Sequence, residues 1–457
     1  MEREKFASRL GFLLISAGCA IGLGNVYRFP IITGAYGGAL FVLFYIAFLV
    51  LLGLPVMTAE LAVGRGSQRS IASSFDVLER KGQKWHWMKY MGIAGNYLLM
   101  MCYTTIAGWM LVYFCKFLTG SISGVTDVGE LGAVFGATIS NTPLVMASTW
   151  TTIVLCFLVC ALGLQKGVEK ITKVMMLLLF VLLLGLAVYS LTLGGAAEGL
   201  RFYLVPSVDS VKHSGLGEVI SAAMGQSFFT LSLGIGSIAI FGSYIGRERR
   251  LVGEALTIIG LDTLVALMSG LIIFPAFFTY NPGATITAAD GGAGFLFMTL
   301  SSIFNNMGGV GRIVGTLFFM FMIFAAYSTV IAVFENIMSF WLEKTRLRRW
   351  QISLINIVLL CVLALPAVFS EGIWNHVRLL GKTFMDLEDY TVSNLLLPVG
   401  SLLYVLFCTS RYGWGWKNYL TEVNTGDRGL KMPRWIRPYM SYVLPLIILA
   451  VLVLSVL

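Results

Sequence analysis

The sequence predicts an all-α integral membrane protein, a single compact bundle of eleven spanning helices. Three observations carry that prediction. Of the 457 residues, 57% are hydrophobic and only 12% charged, about half the charge of a soluble domain. The apolar residues are blocked into runs of 18 or more, the length that crosses a hydrocarbon core of roughly 30 Å. Basic residues alternate between the connecting segments, abundant in one set and sparse in the other, as the positive-inside rule requires. Each run must be helical, because amides facing lipid have no water to satisfy them.

The spans fall at roughly 10–34, 38–64, 88–119, 143–163, 167–193, 218–246, 251–280, 309–343, 348–370, 379–410 and 435–456. The start, with Arg3, Lys5 and Arg9 before an apolar run, superficially suits a signal peptide. The run is too long for one and contains Asn25, Arg28 and Pro30, so it reads as a retained first helix. Arg65, Arg69, Arg80, Lys81 and Lys84 mark one cytoplasmic loop, Arg247, Arg249 and Arg250 a second, and Lys344, Arg346, Arg348 and Arg349 a third. This places the N-terminus in the cytoplasm and, with an odd number of spans, the C-terminus outside. The net charge of +9 is therefore topological and does not point to nucleic acid. The longest pieces outside the spans are 65–87, 120–142, 194–217, 281–308 and 411–434, none large enough for a soluble domain.

Two spans differ from the others. Gly18-Cys-Ala-Ile-Gly22-Leu-Gly24-Asn25 puts a glycine cluster in the middle of the first, and Ser232-Leu-Gly234-Ile-Gly236 does so in the sixth. Glycine costs a helix interior nearly 1 kcal/mol relative to alanine. One reading is close packing, since Gly18 and Gly22 form a GxxxG spacing. The other is a pair of discontinuous helices, one in each half of an inverted five-plus-five repeat (about 10–193 and 218–410, with 435–456 as an extra helix), whose loose amides and carbonyls bind solutes at the midplane. A dinucleotide fingerprint is excluded, because no strand precedes the glycines.

Asp262 lies well inside the seventh span. A carboxylate there costs about 2.5–3.5 kcal/mol on insertion scales, which makes it a functional candidate. Arg28 sits nearer the outside, so a bound cation is the more economical counter-charge. Asn25 and Thr230 add hard oxygen ligands. In the eighth span, Ala325, Ser328 and Thr329 share one helical face; the spacing suits a sodium-sized ion, and equally the back-bonding of hydroxyls to their own helix. The seven Cys lie in or beside apolar spans. Cys156 and Cys160, one turn apart, read as packing residues. The three His have no metal-ligand spacing. No P-loop, zinc-type His/Glu cluster or nucleophile motif is present, so the chain does not read as an enzyme.

The stretch Arg9-Leu-Gly-Phe-Leu-Leu-Ile-Ser-Ala-Gly-Cys-Ala-Ile-Gly-Leu-Gly-Asn-Val-Tyr-Arg-Phe-Pro30 resembles the first-helix signature of the neurotransmitter:sodium symporter family, in its bacterial amino-acid transporter branch. Phe228-Phe-Thr-Leu-Ser-Leu-Gly-Ile-Gly236, Tyr103 with Trp109, Phe324-Ala-Ala-Tyr-Ser-Thr329 and Asp386-Leu-Glu-Asp389 extend the resemblance along the chain in order. It implies sodium-coupled uptake of an amino acid across the cell (inner or plasma) membrane by a monomer or weak dimer. Two sodium ions are implied. The first would use the Ala20 carbonyl, Asn25, Thr230, Asp262 and the substrate carboxylate. The second would use the carbonyls of Gly18, Ile21 and Ala325 with the hydroxyls of Ser328 and Thr329, the first span supplying the wall opposite the eighth.

By the same resemblance, the substrate carboxylate meets the amides of Leu23 and Gly24 and the Tyr103 hydroxyl. Its amino group meets carbonyls near Ala20, Phe229 and Ser232. Gly22 stands where monoamine carriers of the family have an aspartate, which implies a substrate that brings its own carboxylate. Leu99, Phe229, Ile235, Thr329 and Val333 would line an uncharged side-chain pocket, which implies an aliphatic or aromatic neutral amino acid. Arg28, Gln226 and Asp389 would form an outer gate, with Tyr103 and Phe229 as a lid. Arg3, Tyr244 and Glu343 would form an inner gate.

Three departures from the family pattern stand out. Ala266 replaces the serine or glutamate tied to chloride, while Asp262 replaces an asparagine, so chloride is not expected. Leu177, ten residues after Gly167, replaces a proline associated with unwinding of the fifth helix. Phe6 replaces a tryptophan. The same fold could also serve as a sensor or ligand-gated channel, or couple to protons through Asp262.

Overall fold

In a computed structural model, which describes residues 8–206, 215–281 and 295–456, the described residues are predominantly helical and form no strand. Among the described residues, nine apolar helices are long enough to cross a membrane without a sharp break: Ala39–Ser67, Trp85–Thr119, Thr142–Ala161, Leu164–Leu191, Leu251–Tyr280, Gly309–Lys344, Arg349–Ser370, Phe384–Thr409 and Arg434–Leu454. They match the second to fifth and seventh to eleventh expected spans within a few residues. The first expected span is a bent pair, Arg9–Ala20 and Gly24–Ala35, meeting at 54°. The sixth is also two helices, Leu216–Thr230 and Ser237–Gly242, separated by residues 231–236. Arg3 and Phe6 lie outside the described residues.

Stretches expected only as connections carry helices of their own: Val128–Ser140, Ala196–Leu204 and Trp416–Val423. The last is amphipathic and held down by a buried ion pair. Arg65, fully buried at the end of the second span, donates from Nε to Glu422 at 2.7 Å and from Nη1 to the Arg249 carbonyl at 2.6 Å. One guanidinium so ties the second span, the connection before the seventh and the 411–434 segment together.

Several spans contain a π turn, including Gly24–Arg28, Leu164–Glu169 and Thr391–Leu396. The broken helices sit at the centre of the bundle. All of Gly11–Ala20 is buried, in contact with the fifth, seventh and eighth spans and with Ser237–Gly242. The outer helices turn leucine and valine outward, among them Leu155, Leu158, Val181 and Leu184. That is the surface lipid requires, and it leaves the centre to small and polar residues.

Candidate functional site

The break in the first span follows from its backbone accounting. Ile21 leaves the helical region (ψ 100°) while its N–H still bonds the Ala17 carbonyl, and the next regular turn begins at Gly24. The amides and carbonyls freed between them need partners. Asn25 supplies one: its Oδ1 accepts the Gly22 N–H at 3.1 Å. Its Nδ2 reaches across to the seventh span, donating to Asp262 Oδ1 at 2.8 Å and to the Asp262 carbonyl at 3.0 Å. Thr230, the last helical residue before the second break, donates to Asp262 Oδ2 at 3.3 Å. Asp262 is fully buried. Asn25, Thr230 and Asp262 thus converge from three spans on one oxygen-rich spot, with Ala20 buried at the end of the adjoining half-helix.

A second cluster lies on the other side of the break. Thr329 Oγ1 lies 3.1 Å from the Gly18 carbonyl and 3.2 Å from that of Ile21. Ser328 Oγ lies 3.3 Å from the Ile21 carbonyl and 2.9 Å from that of Ala325. The Ser328 hydroxyl thus back-bonds to its own helix and also faces the first span. Five oxygens of Gly18, Ile21, Ala325, Ser328 and Thr329 are gathered without a fixed positive charge among them. Carbonyls freed at a helix end carry partial negative charge, so both clusters are matched to small hard cations.

Between the clusters the Leu23 amide donates to the Tyr103 hydroxyl at 2.9 Å. A Cβ on Gly22 would lie 2.2 Å from that hydroxyl and 2.5 Å from Thr329 Oγ1, so a side chain here would displace both oxygens. Leu23, Leu99, Tyr103 and Phe229 line a cavity of about 290 Å³ that also reaches Arg28 and Asp389. Ile235 and Val333 are fully buried and do not line it; the Ile235 side chain packs at Gly95 of the third span. Ser232 holds a left-handed backbone (φ 49°) in the second break, a strained conformation of the kind found at functional sites.

At the outer end, the Arg28 guanidinium lies 4.2 Å above the Phe229 ring and makes no ion pair with Asp389 among the described residues. Both line this cavity and a larger one of about 630 Å³. Gln226 Nε2 donates to the Gly24 carbonyl at 2.8 Å, tying the sixth span to the first. Glu371, just beyond the ninth span, also lines the cavity; partial burial and the nearby Asp386 raise its carboxyl above the usual range. At the inner end, Glu343 Oε1 accepts the Ser70 amide at 2.7 Å. Tyr244 hydrogen-bonds Glu335 and Ser339, at 3.0 and 2.7 Å.

Among the described residues, sequence reasoning passed over two fully buried acids. Glu60 of the second span is fully buried, and Oε1 accepts the Gly234 N–H at the second break. A Cβ on Gly234 would lie 2.2 Å from the Leu397 carbonyl, so the tenth span presses on the same turn. Glu335 of the eighth span, also fully buried, pairs with Arg349, which donates from Nε to the Cys160 carbonyl at 2.7 Å. Glu335 was readable as a carboxylate inside an apolar run, by the argument that singled out Asp262.

Comparison with known proteins agrees with this geometry. The profile of the sodium:neurotransmitter symporter family matches residues 3–126 and 131–457. YhdH of Bacillus subtilis, an uncharacterized sodium-dependent transporter, is 35% identical over 411 residues, covering 88% of this chain and 87% of its own. The sodium-dependent neutral amino acid transporter B(0)AT3 of Rattus norvegicus is 28% identical over 311 residues, 60% of this chain and 48% of its own. The crystal structure of MhsT in complex with L-phenylalanine superposes with a TM-score of 0.86 at 35% identity, covering 100% of both chains. With two broken helices, two buried oxygen clusters and a family match along nearly its whole length, this multi-pass membrane protein belongs to the sodium:neurotransmitter symporter family, whose members are sodium-coupled transporters and not enzymes.

Proposed function

We propose that the chain carries a neutral, hydrophobic L-amino acid into the cell together with sodium, by alternating access. The observation that carries this is the pair of oxygen clusters flanking the break in the first span. The cluster of Asn25, Thr230 and Asp262, with the Ala20 carbonyl and the substrate carboxylate, is the first sodium site. The cluster of Gly18, Ile21, Ala325, Ser328 and Thr329 is the second. The carboxylate takes the place of the hydrogen bond between Leu23 and Tyr103, engaging that amide, the Gly24 amide and the phenol. The amino group meets carbonyls near Ala20, Phe229 and Ser232.

Leu99, Phe229 and the face beyond Thr329 receive the side chain. A charge there would be left unpaired at high cost; relatives named as neutral amino acid transporters and a neighbour bound to phenylalanine support an uncharged cargo. Closing the outer side brings Arg28 off the Phe229 ring to Asp389, an exposed pair worth about 0–1 kcal/mol and easily broken again. Arg3, Tyr244 and Glu343 close the inner side. The N-terminus lies in the cytoplasm, as the basic segments require.

The test is a thermal-stability screen of the purified protein against the twenty amino acids in sodium or potassium. Stabilisation by one or a few neutral amino acids in sodium alone is the expected result. Stabilisation that is the same in potassium would overturn it. Proteoliposomes then separate coupled uptake, which collapses with the sodium gradient, from binding without accumulation, the mark of a sensor.

A further inference from the structure

Threonine hydroxyls inside these spans generally return to their own helix. Thr152, Thr263 and Thr409 each donate to the carbonyl four residues back, at 3.0, 2.8 and 2.8 Å, which satisfies a hydroxyl where no water reaches. Thr172, near the start of the fifth span, does not. It is fully buried, and its Oγ1 has no hydrogen-bond partner. The carbonyl four residues back is that of Val168, which belongs to the π turn Leu164–Glu169.

What distinguishes Thr172 from other unpartnered hydroxyls is its neighbour. The space beside Gly18, where a side chain would stand, is bounded by Ser328 Cβ at 3.2 Å and by Met176 Sδ and Thr172 Cγ2 at 3.4 Å. Gly18 and Ser328 both belong to the second oxygen cluster. Thr172 therefore stands on a third element with its methyl against the same glycine that joins the first span to the eighth, and a turn about χ1 exchanges that methyl for the hydroxyl. A hydroxyl is a hard, neutral oxygen suited to an alkali cation, while the soft thioether of Met176 beside it is not.

We propose that the Thr172 hydroxyl is a further ligand of the second sodium ion, contributed by the fifth span. The proposal rests on reading Gly18, Ile21, Ala325, Ser328 and Thr329 as a sodium site. It gives the fifth span a direct contact with the ion, so that departure of sodium frees this helix as well as the first and the eighth. The adjoining π turn is the kind of local irregularity that lets a helix adjust at such a site.

The experiment compares wild type with Thr172→Val, which keeps the shape and removes the oxygen, and Thr172→Ser, which keeps the oxygen. Full-length protein is titrated with sodium chloride at constant ionic strength against potassium chloride, reading the melting temperature with sodium as the sole ligand. Thr172→Val should raise the half-saturating sodium concentration about tenfold, the loss of one net ligand contact. Thr172→Ser should stay near wild type, and the three melting temperatures in potassium should agree. Thr172→Ala serves if the valine variant fails to fold. Wild-type sodium affinity in the valine or alanine variant would overturn the proposal, as would equal weakening in Thr172→Ser. A wild type without any sodium response would overturn the sodium-site reading and this proposal with it.

Discussion

Asn25 donates to the Asp262 carboxylate at 2.8 Å while its own carbonyl oxygen accepts the Gly22 amide at 3.1 Å. One short side chain thus repairs the backbone it interrupts and orients an acid buried on another span. The carboxylate's remaining acceptor capacity has Thr230 as its donor at 3.3 Å, a long contact that a cation competes with on favourable terms.

Asp262→Ala should therefore abolish sodium-dependent substrate binding while the protein still folds. The check is the melting temperature with and without substrate, in sodium and in potassium: the value in potassium should survive and the increment that substrate adds in sodium should vanish. Normal sodium affinity in that variant would remove Asp262 from the first site.

A side chain at Gly22 would displace two oxygens of the site, because a Cβ would lie 2.2 Å from the Tyr103 hydroxyl and 2.5 Å from Thr329 Oγ1. Gly22→Ala should lower uptake at least about tenfold, an effect of some 1.4 kcal/mol or more, and should lower the melting temperature in potassium. Adding Tyr103→Phe removes one of the two clashing oxygens. The double variant should regain part of that stability without regaining uptake, since the phenol is needed for the substrate carboxylate.

Chloride should be dispensable. Where a chloride-binding side chain would be needed, the chain has buried Ala266, and the neighbouring Ser269 hydroxyl is engaged by the carbonyls of Asn25 and Ala266 at 2.8 and 2.7 Å. Replacing chloride with gluconate should leave the initial uptake rate unchanged, and a clear fall would contradict this.

Arg349 and Glu335 form an ion pair in which the carboxylate is fully buried and also accepts the Tyr244 hydroxyl. Removing one partner leaves an uncompensated buried charge, so Arg349→Ala should cost about 3–5 kcal/mol in stability. Replacing both, with Glu335→Gln and Arg349→Met, should cost less than the single change. A denaturation series on the three variants decides it.

Much of this architecture was legible in the sequence because lipid imposes strict rules. Long apolar runs, glycines at mid-span and a lone Asp262 stand out against a background that allows few exceptions. Glu60 did not stand out, because it lies four residues from the expected end of its span, where an acid reads as interfacial. The helix in fact continues to Ser67, which carries Glu60 inside to the Gly234 amide. Ile235 and Val333 illustrate a different limit. In a span apolar on every side, periodicity cannot say which residues face a cavity and which face a neighbour, and only the packing at Gly95 assigns Ile235. Likewise, no pattern announces that Arg349 will turn back across a helix boundary to reach Glu335.

The π turn at Thr391–Leu396 lies between Asp389, which faces the outer cavity, and Gly400, whose Cβ position is blocked by the Gly234 carbonyl at 2.0 Å. Such a turn holds one residue more than the α-helix on either side, and each residue of an α-helix advances the heading by about 100°. The direction of Asp389 relative to Gly400 is therefore fixed by a surplus residue between them. Deleting one position from this stretch would leave Asp389 and Gly400 themselves unchanged and point the acid at a different neighbour, so the length of the segment carries information that its composition does not.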